Sequence, residues 1–365
     1  ASLLGTLKEN HYAIVSKLTD KHDNYDTVAS ALAPLFAQLE LRLMRLPSEN
    51  YDFEYDQIVS FGELLSTTLV ARYLEATGLS NCWLDARQMI RTDNNFREGR
   101  VDWQVSTPHI RQLCNFVVES GQNLIISQGF IGSTAENLTT TLGREGSDYS
   151  AAIFAYALDA ESVTIWKDVP GLLNADPKFF PDAIKIDQIA YEEAIELSYY
   201  GASVIHPKTL QPLQNKNIPL YVKPFYAPDQ PGSVINAEKN GEDIPSIIFK
   251  TNQILISLFP KDFSFIDIAG LSEIFTIFSQ QKIKINLLQN SALSFSICTD
   301  YEEQHIVPLI HQLSKNYKVK FNKQVELITI RNYHDTLLNQ LMENRELILE
   351  QRSRKMLQCV VINRG

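Results

Sequence analysis

Two glycines, one arginine and a serine–aspartate pair lie between an apolar strand and a helix, and together they could hold an anion. Gln128-Gly129-Phe130-Ile131-Gly132-Ser133 follows the apolar run Asn123–Ser127. Thr139-Thr140-Thr141-Leu142-Gly143-Arg144-Glu145-Gly146-Ser147-Asp148 then leads into Tyr149–Leu158, whose spacing is helical. Ser147 and Asp148 stand at a natural N-cap position for that helix. Unpaired backbone N–H groups and the positive end of the helix dipole would point at whatever binds there. Arg144 adds a planar fork suited to a carboxylate or a phosphate. The same residues allow a plainer reading, an ordinary strand-to-helix turn with a surface arginine.

The elements that must position this turn belong to a chain of 365 residues, long enough for two or three domains. A formal net charge of −10 argues against nucleic acid as a partner, because phosphate backbones demand a basic face. An anionic small substrate must then be held by local positive groups. No run approaches the roughly 18 apolar residues of a membrane-spanning helix. Cys82, Cys114, Cys298 and Cys359 are far apart and form no CxxC pair, so each reads as a small apolar residue in a reducing cytosol. The histidines show no metal-ligand spacing.

Residues 1 to about 225 alternate helical and strand patterns. Asn10–Leu46 and Ile58–Glu75 read as helices, and Asn81–Leu84, Asn123–Ser127, Ser162–Trp166 and Ile218–Val222 as strands. Tyr191–Tyr200 reads as a helix stopped by Gly201. This alternation predicts an α/β sandwich with a mainly parallel sheet, in which ligands bind beyond the carboxyl ends of the strands. Two such ends carry Gln128-Gly129-Phe130 and Lys167-Asp168-Val169-Pro170-Gly171. Ala227–Pro245 has the composition of a linker. Beyond it, a strand, helix, strand, strand, helix, strand order predicts a ferredoxin-like unit. A second strand opening at Val325, with a helix over His334–Glu343, predicts another such unit in tandem. Small units of this kind have limited cores, and the apolar strands Ile254–Phe259 and Leu293–Ile297 suit edge-to-edge pairing in a homodimer.

Six motifs stand in order along the chain: Phe61-Gly62-Glu63-Leu64-Leu65-Ser66, Gln128–Gly132, Thr140–Tyr149, Ile165–Gly171, Asp176-Pro177, and Gly201-Ala202-Ser203-Val204-Ile205-His206-Pro207. On these motifs the chain resembles the aspartokinases of the amino-acid kinase family over nearly its whole length. The resemblance implies a three-layer amino-acid kinase domain over residues 1–235 and two ferredoxin-like regulatory (ACT) domains over 244–365. It implies phosphorylation of the side-chain carboxylate of L-aspartate with ATP and Mg2+, in a cytoplasmic enzyme of lysine, threonine and methionine synthesis. An effector amino acid, lysine or threonine, is expected at the ACT domains.

Phosphoryl transfer asks the protein mainly to position reactants and neutralise charge. By resemblance Arg144 pairs with a substrate carboxylate and Glu63 with the ammonium. Phe130, Gly132 and Ser147 complete the substrate turn, and Asp148 is the catalytic candidate that orients a lysine or the metal-bound phosphates. Lys167, Asp168, Leu173, Asp176, Lys178 and Ser203 line the nucleotide. No residue is assigned as a metal ligand.

The chain departs from the family in three ways. The family's Lys-Phe-Gly-Gly motif is not in this sequence, and by resemblance it would precede Ala1, leaving the chain as written poorly active. Ser203 replaces a lysine of many relatives. The loop Asp262–Gly270 differs from the commonest lysine-sensing version. Two other readings stay open: a kinase for glutamate or N-acetylglutamate, and an amino-acid-binding regulatory subunit without activity of its own.

Overall fold

A computed structural model of the chain describes residues 3–19, 24–45, 49–201, 205–238, 244–262 and 264–364. The expectations for Leu46, for Ser203, for the linker residues 239–243 and for Phe263 fall outside these. The chain forms two compact units. One comprises Ala1–Ile165, Ile205–Tyr221 and Ile235–Ala237, and the other Trp166–Val204, Val222–Val234 and Glu238–Gly365.

In the first unit three helices, Leu3–Thr19, Tyr25–Leu43 and Tyr51–Ala76, bury one apolar face each. Val28, Leu32, Phe36 and Leu39 meet Phe61, Leu64, Leu65 and Leu69 in one core that also takes in Ile131. The third helix starts earlier than its apolar pattern suggests. The Asn50 side chain caps it by accepting from Phe53 N–H at 3.1 Å, and Asp52 and Glu54 complement the dipole in its first turn. Cys82–Leu84 and Ile125–Ser127 pair in parallel, with Trp83 opposite Ile126. A second core joins Met89, Ile90, Leu142 and Ile153 to Ile110 and Cys114 of the helix Trp103–Glu119. That helix is capped by Asp102, whose carboxylate accepts from Gln104 and Val105 N–H.

The second unit is dominated by one antiparallel sheet of six strands. Their order is Ile285–Asn290, Phe295–Asp300, Ser246–Pro260, Tyr317–Arg331, Met356–Asn363, Arg345–Arg352. The first four, with helices Ile268–Gln280 and Glu303–Leu313, have the strand order of a ferredoxin-like unit. Ile254, Ile256 and Leu258 face Ile274, Phe278, Ile306 and Leu309 on one side of the sheet. Helix Asp335–Met342 covers Ile328, Ile330, Leu357 and Cys359 on the continuation of that sheet.

Several expectations are corrected here. Ile254–Phe259 is not a separate strand but the second part of a single 15-residue strand, Ser246–Pro260, with an irregular register at Lys250 and Gln253. No new strand opens at Val325, because Tyr317–Arg331 is likewise continuous. Ser246–Pro260 and Phe295–Asp300 are interior strands, so neither apolar run is free for pairing with a second copy; the sheet's edges are Ile285–Asn290 and Arg345–Arg352. Part of the expected linker, Ser233–Asn236, is a strand.

Helix Tyr191–Tyr200 ends where expected, with Gly201 at φ 119°. Arg331, at the end of its long strand and 8% exposed, ties this helix to the sheet. Its guanidinium donates to Glu196 at 2.8 Å and to Glu193 at 2.9 Å. None of the four cysteines is in a disulfide. Burial pushes the Cys298 and Cys359 thiols up to about 12, which keeps them inert.

Candidate active site

Helix Gly146–Leu158 begins earlier than a side-chain cap at Ser147 or Asp148 would place it. Glu145 is the capping residue, in the left-handed region at φ 58°, and its side chain makes no capping bond. Ser147 and Asp148 therefore lie inside the first turn rather than at the N-cap. The close fit of this turn to the strand end explains why. A Cβ on Gly146 would stand 2.6 Å from Phe130 Cδ2, and one on Gly129 would stand 2.9 Å from Ser147 Cα. Both glycines serve close approach of the turn to the strand end.

Phe130 carries the strain of this packing at φ 69°. It is held there by its N–H donating to Ser150 Oγ at 2.9 Å and by its carbonyl accepting from Leu142 N–H at 2.8 Å. Gly132 is buried in the strand Ile131–Ser133, where a Cβ would stand 2.8 Å from the Ile90 carbonyl oxygen.

A cavity of about 450 Å³ opens at this junction, lined by Glu63, Ser127, Gln128, Gly129, Ser147 and Ser150 on its polar side and by Ile125, Ala151, Phe154 and Leu158 on its apolar side. Glu63 and Ser147, far apart in sequence, are thus brought to one cavity. Glu63 is half-buried, and among the described residues its carboxylate has no hydrogen-bond or ion-pair partner. Burial pushes its carboxyl above the usual range. Ser147 N–H and hydroxyl are also without partners among the described residues, whereas Gly146 N–H is taken by the Gly143 carbonyl at 3.1 Å.

Arg144 is exposed and forms no ion pair among the described residues. Asp148 is half-buried in the first helical turn. The junction has groups that could hold a zwitterion. It offers a desolvated carboxylate for an ammonium, free N–H and hydroxyl groups at a helix N-terminus for an anion, and a guanidinium nearby in sequence.

Two contributors escape a reading of charges alone. Gln128 is buried, with Oε1 accepting from Ala86 N–H at 2.8 Å and Nε2 donating to Thr67 Oγ1 at 2.9 Å. Thr67 Oγ1 in turn donates to the Glu63 carbonyl at 2.8 Å, so the strand end is fastened to the helix that carries Glu63. The Ser127 hydroxyl is buried at the cavity wall with no partner among the described residues. Its place in the strand immediately before Gln128 was the available signal.

The nucleotide candidates among the described residues fall in the second unit. Lys167 is the last residue of the strand Val163–Lys167, and its carbonyl accepts from Phe225 N–H at 2.7 Å. Asp168, Asp176 and Lys178 are exposed. Leu173 is half-buried in a short strand paired with Lys185–Ile186. The Asp176 carboxylate accepts from Lys178 N–H at 2.9 Å and its carbonyl from Phe179 and Phe180, so it shapes the turn that carries Lys178. Among the described residues no group of three His, Cys, Asp or Glu side chains could hold a metal ion.

Comparison with known proteins agrees with this architecture. Residues 9–224 match the model of the amino acid kinase family. Lysine-sensitive aspartokinase 3 of Escherichia coli is 36% identical over 247 residues, 67% of this chain and 54% of its own length. The chain thus spans about half the length of that relative. The aspartokinase of Chlamydia pneumoniae is 30% identical over 334 residues, 87% of this chain and 72% of its own. The crystal structure of E. coli aspartokinase III with aspartate and ADP superposes with a TM-score of 0.82 at 26% identity, covering 98% of this chain and 82% of that one. The same enzyme with lysine and aspartate gives 0.80 at 26% identity, covering 99% and 82%. On this evidence the chain belongs to the amino acid kinase family, among its aspartokinases.

Proposed function

We propose that the protein is an aspartate kinase that transfers a phosphoryl group from ATP to the side-chain carboxylate of L-aspartate, forming 4-phospho-L-aspartate. The observation that carries this reading is the half-buried Glu63 carboxylate, unpartnered among the described residues, at the same cavity as Ser147, at the start of helix Gly146–Leu158. Glu63 would take the substrate ammonium, Arg144 a carboxylate, and the Ser147 N–H and hydroxyl the anionic end. Gly132 and Phe130 shape the turn, and Asp148 would orient the groups that neutralise the phosphates. The E. coli relative's structures with aspartate and ADP, and with lysine and aspartate, support the substrate and nucleotide classes.

Lys167, Asp168, Leu173, Asp176, Lys178 and Ser203 are the proposed nucleotide residues. The described residues do not form a metal cage, so any Mg2+ would arrive bound to nucleotide phosphates. Residues 1–235 would form the catalytic domain of a cytoplasmic enzyme, and 244–365 two ACT-type domains that sense lysine or threonine and join two copies. The uncharged free edge Ile285–Asn290 is the feature that supports pairing.

The test is capture of the acyl phosphate by hydroxylamine, using the full-length protein with ATP and a panel of amino acids. Hydroxamate from aspartate supports the reading. Hydroxamate from glutamate or N-acetylglutamate alone would overturn it, and none from any would leave an amino-acid-binding subunit. Lysine or threonine raising the unfolding temperature, and a dimer by equilibrium sedimentation, would support the regulatory half.

A further inference from the structure

Among the described residues, the short strand Thr139–Thr141 has a strand partner on one edge only, with Gly132 opposite Thr140. Leu142 N–H donates to Phe130 O on that inner edge, so the main-chain groups of Thr139 and Thr141 point the other way. There, two consecutive side chains of helix Tyr51–Ala76 take the place of a strand. Gln57 Nε2 donates to the Thr139 carbonyl at 2.7 Å, and Thr139 N–H donates back to Gln57 Oε1 at 3.3 Å. Thr141 N–H and hydroxyl donate to the two oxygens of Asp56 at 2.9 and 2.8 Å. Asp56, 0% exposed, also accepts from Arg97 N–H at 2.8 Å. Gly99 N–H completes the edge by donating to the Thr141 carbonyl at 2.8 Å.

The pairing has a geometric consequence. Glu63 stands roughly two turns beyond Asp56 on the same face of the helix. The strand that Asp56 and Gln57 hold runs on to Arg144 within three residues, and its partner strand contains Gly132. The helix that carries Glu63 is thus tied by these side-chain rungs to the strand that leads into Arg144.

We infer that Asp56 and Gln57 are positioning residues that hold the Arg144 turn at a fixed separation from Glu63 and so fit the site to the length of its amino-acid substrate. The inference rests on the proposed roles of Glu63 and Arg144. The buried Asp56 carboxylate joins two segments, taking the N–H and hydroxyl of Thr141 and the N–H of Arg97, which a neutral apolar residue of the same size could not do.

The experiment compares the full-length parent with Gln57→Ala and Asp56→Asn, measuring KM for aspartate and for ATP, the preference for aspartate over glutamate, and amide hydrogen exchange at Thr141. Both variants should raise the aspartate KM between about ten- and a hundredfold, lower the preference for aspartate by about tenfold and leave the ATP KM within about twofold. Exchange at Thr141 should quicken in Asp56→Asn. Faster exchange with unchanged aspartate KM and preference would overturn the inference and leave a purely stabilising contact. If Asp56→Asn does not fold, Gln57→Ala decides the matter alone, because its partly exposed side chain can be truncated without burying an unpaired charge. A parent inert toward aspartate overturns the proposed function and this inference together, whereas an active parent with indifferent variants overturns only the inference.

Discussion

Gly129 rests directly on Ser147: a methyl group on the glycine would stand 2.9 Å from the serine Cα and 2.9 Å from its Cβ. The end of one strand and the start of one helix are therefore in main-chain contact, and the cavity wall at that point has no slack. Gly129→Ala should cost about 1–3 kcal/mol of stability through overpacking. It should also cut aspartate turnover by about a hundredfold, because Ser147 is pushed out of place relative to Glu63. Thermal unfolding and steady-state kinetics on one preparation would check both figures. A variant with normal turnover would show that the contact is not part of the working site.

Glu63 gives a pH-dependent outcome whose sign is fixed by its burial. Its folded pKa is raised above the ordinary value of 4.5, so the protonated form is favoured in the folded state. That stabilisation is fully present below pH 4.5 and is lost as pH rises through the folded value. At pH 7 the empty site therefore bears an unfavourable charge. Glu63→Gln should melt at a higher temperature than the parent at pH 7 and show no such gain at pH 4. The same substitution should lower kcat/KM for aspartate by about a hundredfold or more, since a buried ammonium would lose its counter-charge. Differential scanning calorimetry at the two pH values, with kinetics at pH 7, tests this trade.

Arg144 is exposed and unpaired among the described residues, so its removal should spare the fold. Arg144→Ala is expected to raise the aspartate KM by about ten- to a hundredfold with little change in unfolding temperature or in nucleotide binding. Arg144→Lys should recover only a small part of the loss, because a point charge cannot reproduce the two-pronged contact. Kinetics that are identical in all three proteins would make it a surface residue.

The Arg331 cluster should respond asymmetrically. Glu193 and Glu196 keep 31% and 41% of their side-chain surface exposed, but Arg331 keeps only 9%. Removing the two carboxylates strands a buried cation, whereas removing the arginine releases two groups that can return to water. Glu193→Ala with Glu196→Ala should thus destabilise by about 2–4 kcal/mol, and Arg331→Met by about 1 kcal/mol or less. Urea unfolding of both variants beside the parent would measure the difference, and equal losses would refute the argument.

The placement of the candidate site's motifs in the fold was legible because they are short and punctuated by glycines. Gln128–Gly132 and Thr140–Tyr149 lie where the sequence places them, at a strand end and a helix start, and Gly201 stops its helix. The capping of Gly146–Leu158 was not legible, because it depends on the left-handed backbone of Glu145 rather than on a side chain. The first half of the strand Tyr317–Arg331 was hidden by Lys318, Lys320 and Lys323 at exposed positions. Arg345–Arg352 was hidden by charges at both ends that suit a free edge. Asp56 and Gln57 look like solvated helix residues until the hairpin they hold is in place. Hydrogen bonds between residues so distant in sequence leave no periodic trace.

The two long strands also have a consequence on the ribosome. Ser246 lies opposite Arg331 and Pro260 opposite Tyr317, so the ribbon closes like a zip around everything made between its halves. Ser246–Pro260 must wait, without that neighbour, until two helices and a hairpin have been synthesised and Tyr317 has emerged. Pairing at that sequence separation is slow, and an apolar strand awaiting its partner is a target for chaperones or for misassociation with another nascent copy. Once closed, the ribbon belongs to both ends of the sheet at once, and the C-terminal hairpin docks along its second strand.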